Sequence, residues 1–321
     1  MSILNDGFFL LLGIAALVVG ADLLVRGATT LALRWRVSAL VIGLTIVSFG
    51  TSLPEMLVTL VAGLQGNADL AIANVLGSNI ANLLLVLGIA AMVRALPVRE
   101  STVLSEIPFS LTAALLVGFL ANAALFSEGR ALSINRLDGV ILLFFFGLFL
   151  LYVFKMAKAT DTQTPPSEPE SSLLRAVAEI GVGIGGLYLG GQWVVESAVA
   201  LAESLGVGQA LIGLTIVAIG TSAPEVAASA MAAYRNQADL AVGNAIGSSI
   251  FNLLWVLGLT ATFVELPFKV LKNTDLLMVI ASSALIILAL VTSRHNALGR
   301  AHGAVFVLVY AGYLVYVIQR G

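Results

Sequence analysis

The chain has 321 residues, of which 59% are hydrophobic and only 11% charged, and its formal net charge is −2. Because soluble domains carry about 25% charged residues, this composition excludes an ordinary soluble protein and indicates a membrane protein. The sequence contains no cysteine, which excludes disulfides and thiolate metal sites. No basic cluster indicates a nucleic-acid partner, and no obligatory protein partner is evident.

Apolar runs of about 20 residues predict ten membrane-spanning helices, five in each half of the chain. We therefore expect an all-α membrane protein. In chain order the predicted spans are Phe8–Leu24, Ala39–Leu64, Leu70–Val93, Ile107–Leu125, Leu137–Phe154, Leu173–Ala200, Ala210–Ala233, Leu240–Val264, Leu276–Val291 and Ala304–Ile318.

A polar, proline-rich segment separates the two halves. Residues 157–172 include the run Thr-Pro-Pro-Ser-Glu-Pro-Glu-Ser-Ser, a composition that buries little apolar surface and is typical of a linker. This predicts a first half over residues 1–156 and a second half over residues 173–321. Because each half has an odd number of spans, the second half enters the membrane from the opposite side, as the inverted repeats of secondary transporters do.

The distribution of Lys and Arg over the loops predicts the orientation. With the N-terminus outside, most of the basic residues fall in the inner loops, which is the usual bias of membrane proteins. We therefore expect a cytoplasmic linker, a C-terminus outside, and residence in the plasma (inner) membrane of a bacterium or archaeon.

Two stretches of the sequence repeat each other at a constant offset of 170 residues. Gly43–Glu55 returns as Gly213–Glu225, and Asn74–Asn82 returns as Asn244–Asn252. The ungapped similarity extends over residues 37–98 and 207–268, and about half of the paired positions are identical, which indicates an internal duplication.

Each copy contains one carboxylate near the middle of a predicted span, Glu55 or Glu225. A carboxylate at this depth costs several kcal/mol unless it is paired, protonated or bound to a cation, and no basic residue lies within either repeated core. Thr51 and Thr221 precede the two glutamates by four positions and share their helix face. Carboxylates, amides and hydroxyls are all oxygen ligands, which favour hard cations such as Ca²⁺ and Na⁺ over zinc or copper.

Pro54 and Pro224 precede the two glutamates directly. A proline inside a helix leaves the carbonyl four residues earlier without its donor, so we expect free carbonyls at Gly50 and Gly220. The two glutamates together carry a charge of −2, which balances one divalent cation, two or more monovalent cations or two protons. This equivalence favours exchange at one shared site.

At these motifs the chain resembles the cation/calcium exchanger superfamily, and within it the prokaryotic sodium/calcium exchanger-like group. The resemblance implies two inverted five-helix bundles in which the second, third, seventh and eighth helices enclose the ions, while the first and sixth slide as a gating pair. It also implies an ion-ligand set in each repeat, with backbone carbonyls of Ser48 and Ala218. The implied side-chain ligands are Thr51, Ser52, Glu55, Ser78 and Asn82 in the first repeat and Thr221, Ser222, Glu225, Ser248 and Asn252 in the second.

One position departs from the family pattern, because sodium-coupled members carry Asp where this chain has Asn252. We predict a secondary active antiporter that exports Ca²⁺ in exchange for Na⁺, with Ca²⁺/H⁺ exchange as the alternative that Asn252 favours. A membrane enzyme is disfavoured, since no nucleophile–base pair, histidine cluster or phosphate-binding signature accompanies the glutamates. A cation channel is disfavoured because oxygen-rich sites on broken helices favour occlusion of the ion. We expect no cofactor; the ions themselves are the substrates.

Overall fold

The computed structural model describes residues 3–126, 132–159, 172–204, 218–293 and 296–320, and these are almost entirely helical. The helices, numbered here in chain order, are α1 Ile3–Trp35, α2 Ala39–Thr51, α3 Leu53–Leu64, α4 Ala68–Val93, α5 Glu100–Ala121, α6 Arg136–Ala159, α7 Leu173–Ser204, α8 Ala218–Thr221, α9 Ala223–Tyr234, α10 Ala238–Phe263, α11 Lys272–Thr292 and α12 Arg300–Arg320. A short 3₁₀ turn, Ala123–Phe126, follows α5.

The helices confirm the predicted membrane architecture. Within the described residues, eight helices are long and apolar enough to cross a membrane, and the bent pair α2–α3 makes a ninth span. The predicted seventh span, Ala210–Ala233, begins outside the described residues, and α8 and α9 cover the rest of it. Helix α6 ends at Ala159 and α7 begins at Leu173, so most of the predicted linker also lies outside the described residues.

Helix α1 is longer than its predicted span, Phe8–Leu24, because charged residues near its end do not stop it. Asp22 accepts an ion pair from Arg26, one turn later, at 2.7 Å, and a second from Arg235 of the loop after α9. These pairs neutralise the Asp22 carboxylate, and the helix continues past it to Trp35.

Glycines allow α1 and α7 to pack in direct backbone contact. A Cβ atom built on Gly20 would lie 2.8 Å from the Leu187 nitrogen, and one on Gly183 would lie 2.7 Å from the Leu24 nitrogen. Gly13 meets Gly190 in the same way further along. Because small residues let membrane helices approach closely, α1 and α7 form one antiparallel pair.

Four two-residue strands join the two halves. In the first sheet β1, Leu96–Pro97, pairs antiparallel with β4, Ala297–Leu298; in the second β2, Ser133–Ile134, pairs antiparallel with β3, Leu266–Pro267. The loop between α4 and α5 therefore lies on the same side as the loop between α11 and α12. Each of these loops has a counterpart in the other half of the chain, five spans away. Because an odd number of crossings ends on the opposite side of the membrane, the two halves are inverted.

Helices α4 and α10 form the centre of the molecule. Both are almost wholly buried, whereas α6 and α12 expose large apolar side chains such as Phe144 and Leu308 where lipid would surround them. Each central helix contains a π-helical segment, Ala81–Val86 in α4 and Phe251–Val256 in α10, and α2 contains a third, Gly43–Val47. Such segments are frequent at functional sites because they redirect side chains from the regular helix face.

Candidate cation site between the two repeats

Both repeats break a membrane span at a serine. Ser52 separates α2 from α3 with φ −84° and ψ 5°, the two helices meeting at a bend of 50°, and Ser222 separates α8 from α9 with φ −89° and ψ 6°. Pro54 and Pro224 lie in the first turn of α3 and α9, where a proline loses no hydrogen bond. Neither proline therefore lies inside a continuous helix, because the chain breaks two residues earlier.

The breaks place Glu55 and Glu225 in the first turns of α3 and α9, and both residues are completely buried. The positive end of a helix dipole favours a carboxylate at this position. Within the described part of the chain, neither carboxylate oxygen of Glu55 has a hydrogen-bond partner, and neither does Oε2 of Glu225. No ion pair found among the described residues involves either glutamate. Two carboxyl groups are thus held in the core with unmet bonding capacity.

Hydroxyls of the first repeat reach across to the second. The Ser52 hydroxyl donates to Glu225 Oε1 at 3.1 Å. The Thr51 hydroxyl donates to Asn244 Oδ1 at 3.1 Å and lies 3.4 Å from the Ser248 hydroxyl. These contacts join α2 to α9 and α10, so the site is built from both halves.

Asn82 and Asn252 each lie in the π-helical segment of their central helix. Both are completely buried, and among the described residues neither the amide nitrogen nor the carbonyl oxygen of either side chain has a hydrogen-bond partner. The Ser222 hydroxyl is also buried and has no hydrogen-bond partner among the described residues. Leaving a buried polar atom unpaired costs about 1–3 kcal/mol, so this concentration of them needs an explanation.

The remaining residues singled out in the sequence divide between the core and the edge of the site. Ser78 is buried on α4, and Thr221 is half-buried at the end of α8. The Ser48 hydroxyl donates to the Thr45 carbonyl at 3.2 Å, and the Ser48 carbonyl accepts the Ser52 amide at 3.1 Å. Ala218 begins α8, and its side chain lies outside the described residues.

Two asparagines that brace the broken helices were missed as site residues. The Asn74 amide donates to the Glu55 carbonyl at 3.1 Å and to the Thr59 hydroxyl at 2.9 Å. Asn244 repeats this, donating to the Glu225 carbonyl at 3.4 Å and to the hydroxyl of Ser229, Thr59's counterpart, at 2.9 Å. Their identical offset in the repeat was the available signal. Each asparagine ties the backbone at a glutamate to the neighbouring central helix.

A cavity of about 210 Å³ lies between α3, α7 and the second break. Thr221 and Pro224 of the second repeat and Pro54 of the first line it, together with Tyr188, Gln192 and Glu196 of α7. Glycines bring α7 against both breaks, since a Cβ on Gly50 would meet Ile184 at 2.4 Å and one on Gly220 would meet Val195 at 2.1 Å. Movement of α7 would therefore change the surroundings of both glutamates.

The model of the sodium/calcium exchanger protein family matches residues 7–155 and 176–319, which together form most of the chain. The chain belongs to the sodium/calcium exchanger family. It is therefore a multi-pass membrane transporter that carries out cation antiport, and not an enzyme. Its similarity to a putative antiporter, CaxA of Alkalimonas amylolytica, is 34% identity over 95% of this chain and 96% of that protein.

A further relative and a solved structure extend this result. The inner membrane protein YrbG of Escherichia coli is 38% identical over 78% of each chain. A solved structure of the sodium-calcium exchanger NCX_Mj superposes with a TM-score of 0.81 at 29% identity, covering 98% of this chain and 99% of the other. The agreement in fold extends over both halves, so the inverted bundles are common to both proteins.

Proposed function

We propose that this protein exports Ca²⁺ in exchange for Na⁺ by alternating access to one site between the repeats. The observation that carries the proposal is the pair of buried glutamates, Glu55 and Glu225, whose carboxylates lack protein partners for three of their four oxygens among the described residues. A buried carboxylate without a partner is strongly unfavourable, and a bound cation would supply the missing interactions.

The unpartnered oxygens suit calcium in kind and number. Among the proposed ligands of the described chain they are both oxygens of Glu55, Glu225 Oε2, the side-chain carbonyls of Asn82 and Asn252, and the Ser222 hydroxyl. Calcium takes six to eight oxygen ligands, and the remaining proposed ligands, Thr51, Ser52, Ser78, Thr221 and Ser248 with the Ser48 and Ala218 carbonyls, would complete or orient this shell. Oxygen donors of this type do not favour zinc or copper.

The charge of the proposed site supports exchange. Two carboxylates neutralise one Ca²⁺ or two Na⁺, so each load leaves the site without net charge and the two loads compete. The NCX_Mj relative is described as a sodium-calcium exchanger, which supports Na⁺ as the coupling ion here.

The packing of α1 and α7 supports a route for alternating access. The pair is joined through glycines, and α7 covers both breaks while leaving the cavity on one side. We infer that the pair moves as a unit past α4 and α10, and that the cavity is the access path on the face remote from the linker. That face is the outer one if the N-terminus lies outside the plasma membrane, as the basic residues predict.

A second candidate, Ca²⁺/H⁺ exchange, is favoured by one position. Asn252 and its counterpart Asn82 are both neutral amides, so the proposed site has no third carboxylate with which to hold a third Na⁺. Two protons on Glu55 and Glu225 would balance the charge equally well.

The test is uptake of ⁴⁵Ca²⁺ into proteoliposomes with an outward gradient of either Na⁺ or H⁺. We expect uptake driven by Na⁺ at constant pH; uptake driven by H⁺ alone would select the second candidate. The Glu55→Gln/Glu225→Gln double variant should lose uptake under both gradients. Glu106→Gln is the matched control, because Glu106 is also completely buried but contacts Tyr152 on α6, away from the breaks. Normal uptake by the double variant would refute the proposed site.

A further inference from the structure

A row of polar side chains on α7 forms one wall of the cavity. Tyr188, Gln192 and Glu196 are spaced four residues apart, so they share one helix face and follow one another along its axis. The Gln192 amide donates to the Tyr188 hydroxyl at 2.9 Å. Among the lining residues of the described chain, Glu196 is the one that carries a charge.

Burial increases along this wall toward the broken helices. Glu196 and Gln192 are exposed, Tyr188 and Thr221 are partly buried, and Pro224 is buried. Glu196 lies 23 residues from the start of α7, about 35 Å along the axis, so it is in the half of the helix remote from the linker. The cavity thus joins a carboxylate at its mouth to the segments that carry the buried glutamates.

We propose that Glu196 is a capture site for hydrated Ca²⁺ on the face remote from the linker, from which the ion passes Gln192 to reach the breaks. This inference rests on the proposed function. A carboxylate at the mouth of a cleft with low-dielectric walls raises the local concentration of cations and their association rate. Ions that arrive from the opposite face do not pass Glu196 before they reach the breaks. We therefore expect Glu196 to affect Ca²⁺ binding only from the face remote from the linker.

The expected effect is a change in apparent Ca²⁺ affinity measured from one side. A unit charge about 6 Å from a divalent ion in water contributes about tenfold in occupancy at low ionic strength, and salt screens the effect. In right-side-out membrane vesicles, Glu196→Gln should raise the KM for Ca²⁺ about tenfold at low salt and about twofold in 0.3 M choline chloride. In everted vesicles its KM should equal that of the wild type, and the maximal rate should be unchanged in both.

Two variants control for charge and position. Glu203→Gln removes an exposed carboxylate seven residues further along α7, outside the set of described residues that line the cavity, and should leave KM unchanged. Adding Gln192→Glu to Glu196→Gln returns a carboxylate to the same helix face one turn deeper, and should restore KM to within about twofold of the wild type. A KM for Glu196→Gln that is unchanged, or that rises equally on both faces, would overturn the capture site.

The cavity must also contain water, which a thiol reagent tests directly. Because the chain has no cysteine, Gln192→Cys is a single reporter without background. It should react with a charged methanethiosulfonate at least tenfold faster than Leu189→Cys, an exposed apolar position on the same helix outside the described cavity lining. Equal rates would mean that the cavity opens to lipid, which would refute the inference. Wild-type vesicles without Ca²⁺ transport under either gradient would instead refute the proposed function, and this inference with it.

Discussion

The substitution Asn252→Asp tests how the charge of the site sets the coupling. In the proposed site Glu55 and Glu225 carry the whole formal charge of −2, since Asn82 and Asn252 are neutral. One Ca²⁺ moving one way and two monovalent ions moving the other then transfer no net charge, and exchange is electroneutral. A membrane potential should leave the accumulated Ca²⁺ ratio of the wild type unchanged.

Asn252→Asp changes the formal charge of the proposed site from −2 to −3. The side-chain amide that it replaces has no hydrogen-bond partner among the described residues. A third Na⁺ would then be held, Na⁺ would compete more strongly with Ca²⁺, and each cycle would move one net charge. One elementary charge is worth about 2.3 kcal/mol per 100 mV, so the Ca²⁺ ratio at equilibrium should change about 50-fold per 100 mV.

The assay is ⁴⁵Ca²⁺ accumulation in proteoliposomes at a fixed Na⁺ gradient, with the potential set by K⁺ and valinomycin. Asn122→Asp is a control that adds a carboxylate outside the site, where Asn122 bonds Asn273 at 2.8 Å. A wild-type ratio that itself shifts about 50-fold would show that the charge count is wrong. A potential-independent ratio in Asn252→Asp would show that this position does not set the coupling.

Three further substitutions test the packing and the bonds of the site. Gly183→Ala should destabilise the protein by about 1–3 kcal/mol in thermal unfolding, because the new Cβ would lie 2.7 Å from the backbone of α1. Gly185→Ala is the control and should be neutral, because a Cβ at Gly185 would have no neighbouring atom within 4 Å. Asn244→Ala should raise the KM for Ca²⁺ and cost about 1–3 kcal/mol, because it removes the buried hydrogen bonds that Asn244 makes with Thr51, Ser229 and the Glu225 carbonyl; unchanged unfolding would contradict this brace. Ser52→Ala should lower the reactivity of a Gln192→Cys reporter and Ser222→Ala should not, since Ser52 bonds Glu225 in the state with the open cavity; equal decreases would contradict this assignment.

The membrane helices could be predicted from the sequence because burial in lipid and in the core both select apolar residues. The predicted span Leu70–Val93 corresponds to α4, Ala68–Val93, and Leu240–Val264 corresponds to α10, Ala238–Phe263. Helix α1 was underestimated because Asp22 and Arg26 end the apolar run, whereas in the structure Asp22 pairs with Arg26 and also with Arg235, which is 213 residues away. Hydropathy along the chain contains no information about such a pair.

The residues of the proposed site could be named from the sequence, whereas their hydrogen bonds could not. The repeat identified Glu55 and Glu225 because a duplicated carboxylate in an apolar setting is rare. The position of the helix breaks was not predictable, since a proline is compatible both with a kink inside a helix and with the first turn of a new one. The π-helical turns at Asn82 and Asn252 were likewise hidden, because no residue preference in the repeated text distinguishes them from regular helix.

The two repeats have nearly the same sequence at the breaks but make different hydrogen bonds there, and this difference bears on the mechanism. Ser52 donates to Glu225, while Ser222, its counterpart, has no partner among the described residues, and Glu55 accepts no bond there. Because Thr-Ser and Pro-Glu recur in both breaks in inverted orientation, a second state in which Ser222 bonds Glu55 and Ser52 is released has the same local chemistry. Such a pair of states differs mainly in which face is open. The asymmetry therefore supports the proposed alternating-access cycle, in which the duplication provides the second state.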